Sequence, residues 1–381
     1  MKFLFLILWL FKAKKKLIPP KKVQIIIYDG AGSDLLEKLL DRYVFSILWI
    51  RGEEINLCCL LYSILLRDFW RGKVIFAYSK AYIILSKPKL VITTVDNNAF
   101  FYLIKKECNV LTAFLQNGRR SDIDDIFNSI QKKDNFVDFM FVFNADIGKK
   151  YLEFIKGEIF QIGSYKNNMI ERVSDKSGVP TLSYISQYRK RENKFFIKNE
   201  IHSITFYDFY SVEKKLLLLL KDWCIKNKFL LNIIGCSQNY SIDEEKYFDN
   251  FLDKNYNFIE CKINSSYKAC DNSNIVVFID STLGYESLAR GNKTLAISCR
   301  NNDWGKSLKF GWPGFFQEEG PFWINYFDKN KIESKLNFIK NLSENEWNEK
   351  FSSIINDIMV YNKNNTILLS KLYNIFSQVK I

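Results

Sequence analysis

The chain has 381 residues, of which 48% are hydrophobic and 25% charged, with 33 Phe, 20 Tyr and 8 Trp. So much apolar surface excludes a disordered chain, and at roughly 100–200 residues per domain the length predicts two domains. The net charge is +13, and residues 1–22 hold seven lysines and no acid, so they supply 7 of the 13. Charge concentrated in one tail argues against a nucleic-acid partner.

The N-terminal segment combines an apolar run with a lysine cluster. Phe3 to Phe11 are all apolar, and Lys12 and Lys14 to Lys16 follow. The run is too short to span a bilayer, which needs about 20 residues. We therefore expect residues 1–22 to lie on an anionic membrane surface, at the inner face of the cytoplasmic membrane. The alternative is an edge element packed on the domain, with a solvated basic turn.

From residue 23 onward, short β-branched or aromatic runs alternate with segments of helical length. In the first half of the chain the predicted strands are 23–28, 44–50, 74–78, 90–95, 110–115, 139–143 and 159–162. Most of them end abruptly in polar residues. Strands alternating with helices in this way predict βαβ units and a parallel sheet.

The second half repeats the pattern after a polar stretch that contains Gly178 and Pro180. The predicted strands there are 181–185, 204–207, 230–234, 275–279 and 294–298. We predict an α/β protein with two doubly wound Rossmann-like domains facing a crevice. The predicted segments are 1–22 at the membrane surface, 23–173 and 180–345 as the two domains, and 346–381 as closing helices. Ligands of such sheets bind at the C-terminal ends of the strands.

The most informative motif follows the predicted strand 275–279. Its sequence is DSTLGYESLARG, residues 280–291. Ser281 or Thr282 is placed to cap a helix that ends at Gly291, and free N–H groups at a helix start bind phosphate. Gly284 is expected to let a ligand approach the backbone, and Glu286 to accept hydrogen bonds from sugar hydroxyls. The alternative is an ordinary capped helix.

Carboxylates cluster after the first two predicted strands. Asp29 and Asp34 bracket Gly30-Ala31-Gly32-Ser33, which lacks the last glycine of a dinucleotide fingerprint. Either carboxylate is a candidate general base; the alternative is a helix cap at Ser33 or Asp34. Arg51 and Glu53 predict an anion or sugar-hydroxyl site, or a salt-bridge network.

Other polar groups predict hydroxyl-rich ligands or common turns. They are Asp96, Asn97, Gln116, Asn117 and Arg119, which follow two later strands. Aromatic residues between 304 and 323 predict either a sugar-stacking platform or a packed loop. His202 is the only histidine and no cysteine pair has C-x-x-C spacing, so neither a His-dependent triad nor a metal site is expected.

The order and spacing of seven stretches resemble bacterial surface-carbohydrate biosynthesis proteins of O-antigen and capsule gene clusters, which are GT-B-like glycosyltransferases. The stretches are YDGAGSD (28–34), RGEEIN (51–56), PKLVITTVDNNAFFY (88–102), LQNGRR (115–120), IGSYKNN (162–168), DSTLGYESLARG (280–291) and KFGWPGFFQEEGPFW (309–323). The resemblance implies a metal-independent glycosyltransferase without a bound cofactor. A nucleotide-sugar would be the donor substrate, and a glycan or lipid-linked glycan the acceptor.

The resemblance also implies an acceptor site mainly on the N-terminal domain and a donor site mainly on the C-terminal one. The base candidates are Asp29, Asp34, Glu53 and Asp96. The donor-binding candidates are Arg189, Gly235, Ser281, Thr282, Gly284, Glu286 and Arg300, with Lys190 a further cation for the leaving group. The acceptor-binding candidates are Arg51, Asn97, Gln116, Asn117 and Arg119. Two alternatives stay open: a teichoic-acid-type polyol-phosphate transferase, and a non-catalytic scaffold of a polysaccharide synthesis complex.

Overall fold

The computed structural model describes residues 12–122, 125–129, 135–188, 197–198, 203–204, 206–237, 239, 241–300, 306–314 and 317–377. The chain divides into two compact units. The first unit comprises Met1–Asn117, Ser129–Val142 and Gly148–Gln161. The second comprises Gly118–Asn128, Phe143–Ile147 and Ile162–Ile381.

The first unit is built on a parallel sheet. Its strands are β1 (Lys14–Lys16), β2 (Ile25–Tyr28), β3 (Phe45–Leu48), β4 (Glu54–Asn56), β5 (Leu90–Thr93), β6 (Leu111–Leu115), β7 (Phe136–Val142) and β8 (Lys156–Gln161). The helices of this part of the chain are α1 (Asp34–Leu39), α2 (Leu57–Ile64), α3 (Arg67–Trp70), α4 (Val74–Ser86), a 3₁₀ turn (Phe101–Leu103), α5 (Ile104–Cys108), α6 (Ile126–Ser129) and α7 (Ala145–Leu152).

Six of these strands pair in the order β3-β2-β5-β6-β7-β8, all parallel. Strands β2 and β5 are fully buried, as expected for apolar runs that helices cover on both faces. The chain passes from β2 outward to β3 and then returns to β5 on the other side of β2. The topological switch point of this sheet therefore lies between β2 and β5.

The second unit repeats this plan. Its strands are β9 (Thr181–Ile185), β10 (Ile197–Lys198), β11 (Ser203–Ile204), β12 (Leu230–Ile234), β13 (Asn257–Ile259), β14 (Ile275–Phe278), β15 (Thr294–Ile297), β16 (Glu319–Gly320) and β17 (Trp323–Ile324). The helices are α8 (Tyr165–Met169), α9 (Phe206–Asn227), α10 (Ser241–Leu252), α11 (Ile263–Asn272), α12 (Thr282–Ala289), a 3₁₀ turn (Lys306–Leu308), α13 (Lys329–Asn341), α14 (Glu344–Ile358), a 3₁₀ turn (Lys363–Asn365) and α15 (Thr366–Ser377).

The second sheet has the order β13-β12-β9-β14-β15-β17-β16, and only β16 runs antiparallel to its neighbour. The chain moves from β9 out to β12 and β13, then crosses to β14 on the other side of β9. The switch point of this sheet lies between β9 and β14. Both sheets therefore have the doubly wound topology that the alternating pattern predicts.

Two predicted strands are wrong. Residues 74–78 begin helix α4, most of whose side chains are buried. An apolar run that is buried on every side has no periodicity to separate helix from strand, and here length decides for a helix. Residues 204–207 contain only the end of β11, because α9 begins at Phe206.

The basic turn of the N-terminal segment forms a short strand in a separate two-stranded sheet. Lys14 to Lys16 pair in parallel with β4, and Lys16 Nζ lies 2.8 Å from a Glu54 carboxylate oxygen. All three lysines of this strand are exposed, and the apolar run Phe3 to Phe11 lies outside the described residues, so the membrane-surface expectation for residues 1–22 and its packed alternative both stay predictions. Among the helices within the described ranges, none is both long and apolar enough to cross a membrane.

Candidate functional site

An arginine joins the two strands that flank the switch point of the second sheet. Arg300 follows β15, and its Nη1 lies 3.2–3.3 Å from the carboxylate oxygens of Asp280, which follows β14. The same atom donates to the side-chain oxygen of Gln187, which follows β9. Arg300 is buried. Arg300 therefore joins the strand ends through its Nη1 atom, and its predicted role toward a leaving group stays a prediction.

A buried glutamate lies beside this arginine. Glu213, from α9, accepts a hydrogen bond from Tyr184 Oη at 2.7 Å and one from the Gln187 backbone N–H at 3.4 Å. Burial raises the pKa of Glu213, although the positive charge of Arg300 opposes the shift. Burial also lowers the pKa of Arg300, but Asp280 and Glu213 outweigh it, and the net pKa is raised. The opposite charges of these side chains therefore neutralise one another within the protein, beneath the switch point.

The start of α12 is the open part of this edge. Ser281 occupies the N-cap position in an extended conformation, yet its side chain makes no capping hydrogen bond. Among the residues that the structure describes, no acceptor is found for the backbone N–H groups of Thr282 and Leu283. Two unsatisfied donors at a helix N-terminus carry partial positive charge and are suited to an anion.

Thr282 bonds to a segment distant in sequence. Its Oγ1 accepts a hydrogen bond of 2.9 Å from the backbone N–H of Arg119. The guanidinium of Arg119 donates to the carbonyl oxygens of Ser307 and Lys309. Arg119 was predicted as an acceptor ligand, but it lies in the second unit, against the predicted donor motif. The two motifs, 163 residues apart in sequence, meet at this helix start.

Two other members of the motif serve packing. A Cβ atom on Gly284 would lie 2.1–2.5 Å from the ring of Phe278, so the glycine is explained by close helix–strand contact rather than by an approaching ligand. Glu286 is buried, and its two carboxylate oxygens accept from Ser164 Oγ and from Tyr267 Oη, the latter at 2.8 Å. Burial raises its pKa.

Gly235 and the residues after it form the β12 end of the same edge. A Cβ atom on Gly235 would lie 2.9 Å from Phe258 and 3.2 Å from a Glu244 oxygen. Glu244 accepts from the backbone N–H groups of Cys236 and Ser237 at 3.0–3.2 Å. Burial raises the pKa of Glu244. This end of the edge is shaped by the packing of β13 and α10.

Asp29 and Arg51 form an ion pair at the end of β2 in the first unit. Arg51 Nε and Nη2 both lie 2.8 Å from Asp29 Oδ2. Asp29 is buried in the left-handed conformation at φ 65°, whereas the Arg51 side chain is 52% exposed. Two guanidinium donors thus engage one carboxylate oxygen, and this geometry is that of a carboxylate that orients Arg51.

The two remaining carboxylates near β2 and β3 are exposed. Asp34 lies in the first turn of α1, and no side-chain hydrogen bond or ion pair with its carboxylate is found among the residues that the structure describes. Glu53 accepts a 3.1 Å hydrogen bond from the Arg51 backbone N–H. Ser33 occupies the N-cap position of α1 without a side-chain capping bond. Its hydroxyl lies 2.6 Å from a Glu37 carboxylate oxygen and 3.0 Å from the Gly30 carbonyl oxygen instead.

Asp96 is buried at the end of β5, on the other side of the switch point. One of its carboxylate oxygens accepts from Tyr151 Oη, and the other accepts from the Asn117 backbone N–H at 3.3 Å. Gln116 is also buried, and its backbone N–H donates to the Phe141 carbonyl. By contrast, Asn97 is exposed. The structure thus brings Asp96 and Asn117 together, and their hydrogen bond supports the C-terminal edge of the first sheet.

Several predicted residues lie outside the described part of the chain: Arg189, Lys190 and His202. Within the described part, no group of three or more His, Cys, Asp or Glu is placed to hold a metal ion. The aromatic segment packs inward where it is described, because Phe310 stacks on both Tyr285 and Trp323 at 5.5 Å. This supports the packed-loop alternative for these rings.

Glu213 and Tyr184 were missed by the sequence analysis. Tyr184 falls within a predicted strand, where the alternation of strand side chains marks a buried face but not a polar partner. Glu213 is one acidic residue in a long helix and carries no local signal. Only its contact with the end of β9 identifies it.

Solved structures with similar folds cover nearly the whole chain. S. aureus MnaA, in a co-structure with UDP, gives a TM-score of 0.56 at 10% identity, covering 95% of this chain and 98% of that one. The UDP-GlcNAc 2-epimerase from Methanocaldococcus jannaschii gives 0.51 at 11%, covering 95% and 99%. The wall teichoic acid polymerase TagF (H444N, soaked with CDPG) gives 0.52 at 11%, covering 96% and 91%. At these identities the likeness shows the fold, which is GT-B.

The sequence itself matches a family model over residues 113–375, which is more than half of the chain. The matched segment includes the Arg119 loop, the switch point of the second sheet and the whole α12 motif. None of the curated protein sequences matches the chain. The chain belongs to the family described as "putative O-antigen biosynthesis protein".

Proposed function

We propose that this protein transfers a sugar from a nucleotide-sugar donor to a glycan or lipid-linked glycan acceptor in the synthesis of a bacterial surface polysaccharide. The observation that carries the proposal is the uncapped start of α12 at the switch point of the second sheet. The family is one of O-antigen biosynthesis, and two proteins of the same fold are described with UDP or CDPG. A nucleoside diphosphate is the common chemical element of such donors.

The donor diphosphate is proposed to bind the first turn of α12. The backbone N–H groups of Thr282 and Leu283 and the hydroxyl of Ser281 supply donors, and the helix dipole adds partial positive charge. When the sugar leaves, negative charge develops on the diphosphate. Donors already oriented toward that charge stabilise it without reorganisation at the moment of reaction.

In the transfer step, an acceptor hydroxyl oxygen bonds to the anomeric carbon while the bond from that carbon to the phosphate oxygen breaks. The hydroxyl proton passes to a carboxylate, and the nucleoside diphosphate leaves. We assign the carboxylate role to Asp34, because Asp29 and Asp96 are both held by protein donors and Glu53 accepts from a backbone N–H. Asp34→Asn should lower kcat by about 100-fold or more and leave nucleotide affinity unchanged.

A proline substitution tests the α12 site directly. Thr282→Pro removes one N–H group, and proline is favoured at the first position of a helix; Ser281 already has the extended conformation that precedes proline, at ψ 137°. The matched control, Thr282→Ala, keeps the N–H group and removes the hydroxyl. The measurement is thermal unfolding with UDP, GDP, CMP, CDP and ADP, since a ligand at about 100 times its Kd stabilises by roughly 2.7 kcal/mol.

We expect one nucleotide to stabilise the wild type and Thr282→Ala, and to bind Thr282→Pro about ten-fold or more weakly. Equal binding by both variants would remove the α12 site from the proposal. No stabilisation by any nucleotide, with or without acceptor, would favour the scaffold. Product analysis separates the enzymes: a glycosidic bond supports the sugar transferase, a phosphodiester the polyol-phosphate transferase, and an altered donor sugar without acceptor an epimerase.

A further inference from the structure

Five large apolar side chains of the first unit are 65–79% exposed. They are Leu17, Ile18, Leu61, Leu65 and Trp70. Leu17 and Ile18 belong to the turn after β1. Leu61 belongs to α2, Leu65 to the two-residue link between α2 and α3, and Trp70 to α3. Most exposed apolar residues of a folded protein are scattered singly and need no explanation. These five differ because hydrogen bonds hold them along one surface.

The turn after β1 lies along the start of α2. The carbonyl oxygen of Leu17 accepts from Cys58 Sγ at 3.0 Å, and that of Ile18 accepts from Asn56 Nδ2 at 2.8 Å. Parallel pairing of β1 with β4 fixes the same segment from its other end. The apolar side chains of Leu17 and Ile18 are therefore held at the N-terminal end of α2.

The rest of the surface continues along α2. Leu61 and Leu65 are four residues apart and so lie on one helix face, three and seven residues after Cys58. Trp70 is fixed beside the C-terminal end of α2, because its Nε1 donates to the Ile64 carbonyl at 2.7 Å. The five exposed side chains thus form one continuous row, which we call the apolar row.

The apolar row is surrounded by basic side chains of the same segments. The exposed ones are Lys12, Lys14, Lys15, Lys16, Lys21, Lys22, Arg67, Arg71 and Lys73. Two acids of this region are neutralised within the unit, since Glu54 pairs with Lys16 and Asp68 pairs with Lys80, each at 2.8 Å. Glu53 is the remaining exposed acid of residues 12–22 and 53–73, and Lys16 is engaged by Glu54. Eight exposed cations against this one acid leave the surface apolar in its row and positive beside it.

We propose that the apolar row and its basic rim dock the first unit onto an anionic lipid bilayer. Side chains such as Leu65 and Trp70 would enter the headgroup region, where apolar side chains gain burial and tryptophan is favoured. The lysines and arginines would lie against lipid phosphates, each contributing about a two- to five-fold gain in binding. A second protein would have to offer an acidic rim around an apolar centre, whereas an anionic bilayer offers both over any area. This inference does not depend on the transferase assignment.

Quenching by brominated lipid tests the position of Trp70. Because Trp9 lies in the apolar N-terminal run, the test uses a Trp9→Phe background and vesicles of phosphatidylcholine with phosphatidylglycerol. We expect the Trp9→Phe protein to lose fluorescence when the acyl chains carry bromine near the headgroup. The Trp9→Phe/Trp70→Phe protein should bind the same vesicles without that loss. If removing Trp70 leaves the quenching unchanged, this surface does not contact lipid and the proposal is wrong.

Vesicle flotation tests the energetic contribution of the row with two matched triple variants. One replaces exposed residues of the row, Leu61→Ser/Leu65→Ser/Trp70→Ser. The control replaces equally exposed residues of the second unit, Ile225→Ser/Ile242→Ser/Tyr373→Ser. Only the first should reduce binding to anionic vesicles, by about ten-fold or more, and added salt should weaken the binding of both.

Three outcomes of these measurements would overturn the proposal. Equal vesicle binding by both triple variants would assign membrane contact to another part of the chain. Concentration-dependent dimers of the wild type, abolished by Leu65→Ser in gel filtration without lipid, would show that a second copy covers the row. A lower melting temperature of the row variant, with vesicle binding unchanged, would show that the chain's own residues cover it.

Discussion

The C-terminal edges of the two sheets have the same topology, but their charged side chains differ in burial. In the second unit, Arg300 and Glu213 are buried and Arg300 pairs with Asp280, and among the described residues of this edge the start of α12 stays open. In the first unit, Asp34 and Glu53 are exposed, and the Asp29–Arg51 pair is half exposed. A switch point supplies a position for ligands, but burial decides whether its charged residues act on a ligand or support the fold.

The largest expected effect concerns an ion pair of the second unit. The side chains of Arg290 and Asp271 are 0% and 1% exposed, and Arg290 also donates to the carbonyls of Ile170 and Glu171. Asp271→Ala leaves a buried guanidinium without its carboxylate and should cost about 3–5 kcal/mol of unfolding free energy in urea. A loss below 1 kcal/mol would show that burial does not set the difference between the two units.

A glycine substitution in α12 should have the next largest effect. The added methyl of Gly284→Ala meets the Phe278 ring at 2.1–2.5 Å and should cost about 1–3 kcal/mol of unfolding free energy. Gly178→Ala is the control, since no heavy atom lies within 4 Å of its added Cβ, and it should change stability by less than about 0.5 kcal/mol. Equal melting temperatures of the two variants would reopen a ligand-related reason for Gly284.

The pH dependence of stability tests the buried Glu286. Burial raises the pKa of this carboxyl above its ordinary 4.5, so as pH rises from 4.5 the unfolded chain ionises first and the native state loses stability. The Glu286→Gln variant has no ionisable group at this position, so its stability does not fall with pH for this reason. Its stability relative to the wild type should rise with pH by up to about 1.4 kcal/mol per unit, until pH passes the native pKa. Other buried acids are common to both proteins and cancel in this difference.

Urea unfolding of both proteins between pH 4.5 and 7 measures that difference. Parallel stability curves would mean that Glu286 ionises as easily in the native state as in the unfolded chain. Nucleotide titration of the same variant adds an independent readout. Unchanged affinity would fit the packing role, whereas a loss at constant stability would restore Glu286 as a donor ligand.

The smallest effect on stability is expected in the first unit. Because the Arg51 side chain is 52% exposed, water can replace it beside Asp29, and Arg51→Ala should cost no more than about 1 kcal/mol. Urea unfolding beside Asp271→Ala compares the two ion pairs directly. Similar losses in both would mean that burial does not set the difference between these two ion pairs.

The sequence by itself determined most strands, the doubly wound plan and the polar residues at the strand ends. These depend on local patterns, since a buried parallel strand needs a short apolar run and the chain must turn where it ends. The same local logic failed for α4, whose apolar residues lack a polar face to reveal the helical period. Local pattern also predicted a cap at Ser281 that the structure does not form.

Tertiary structure alone decided which polar residues serve a site and which serve packing. Gly284 faces Phe278, and Glu286 lies between Ser164 and Tyr267, although a ligand and a packed ring both favour the same residue types in a motif. Arg119 reaches Thr282 across 163 residues of sequence, and no local pattern encodes such a contact. The physical reason is that burial and partner choice arise from the packing of whole elements, which a stretch of sequence does not contain.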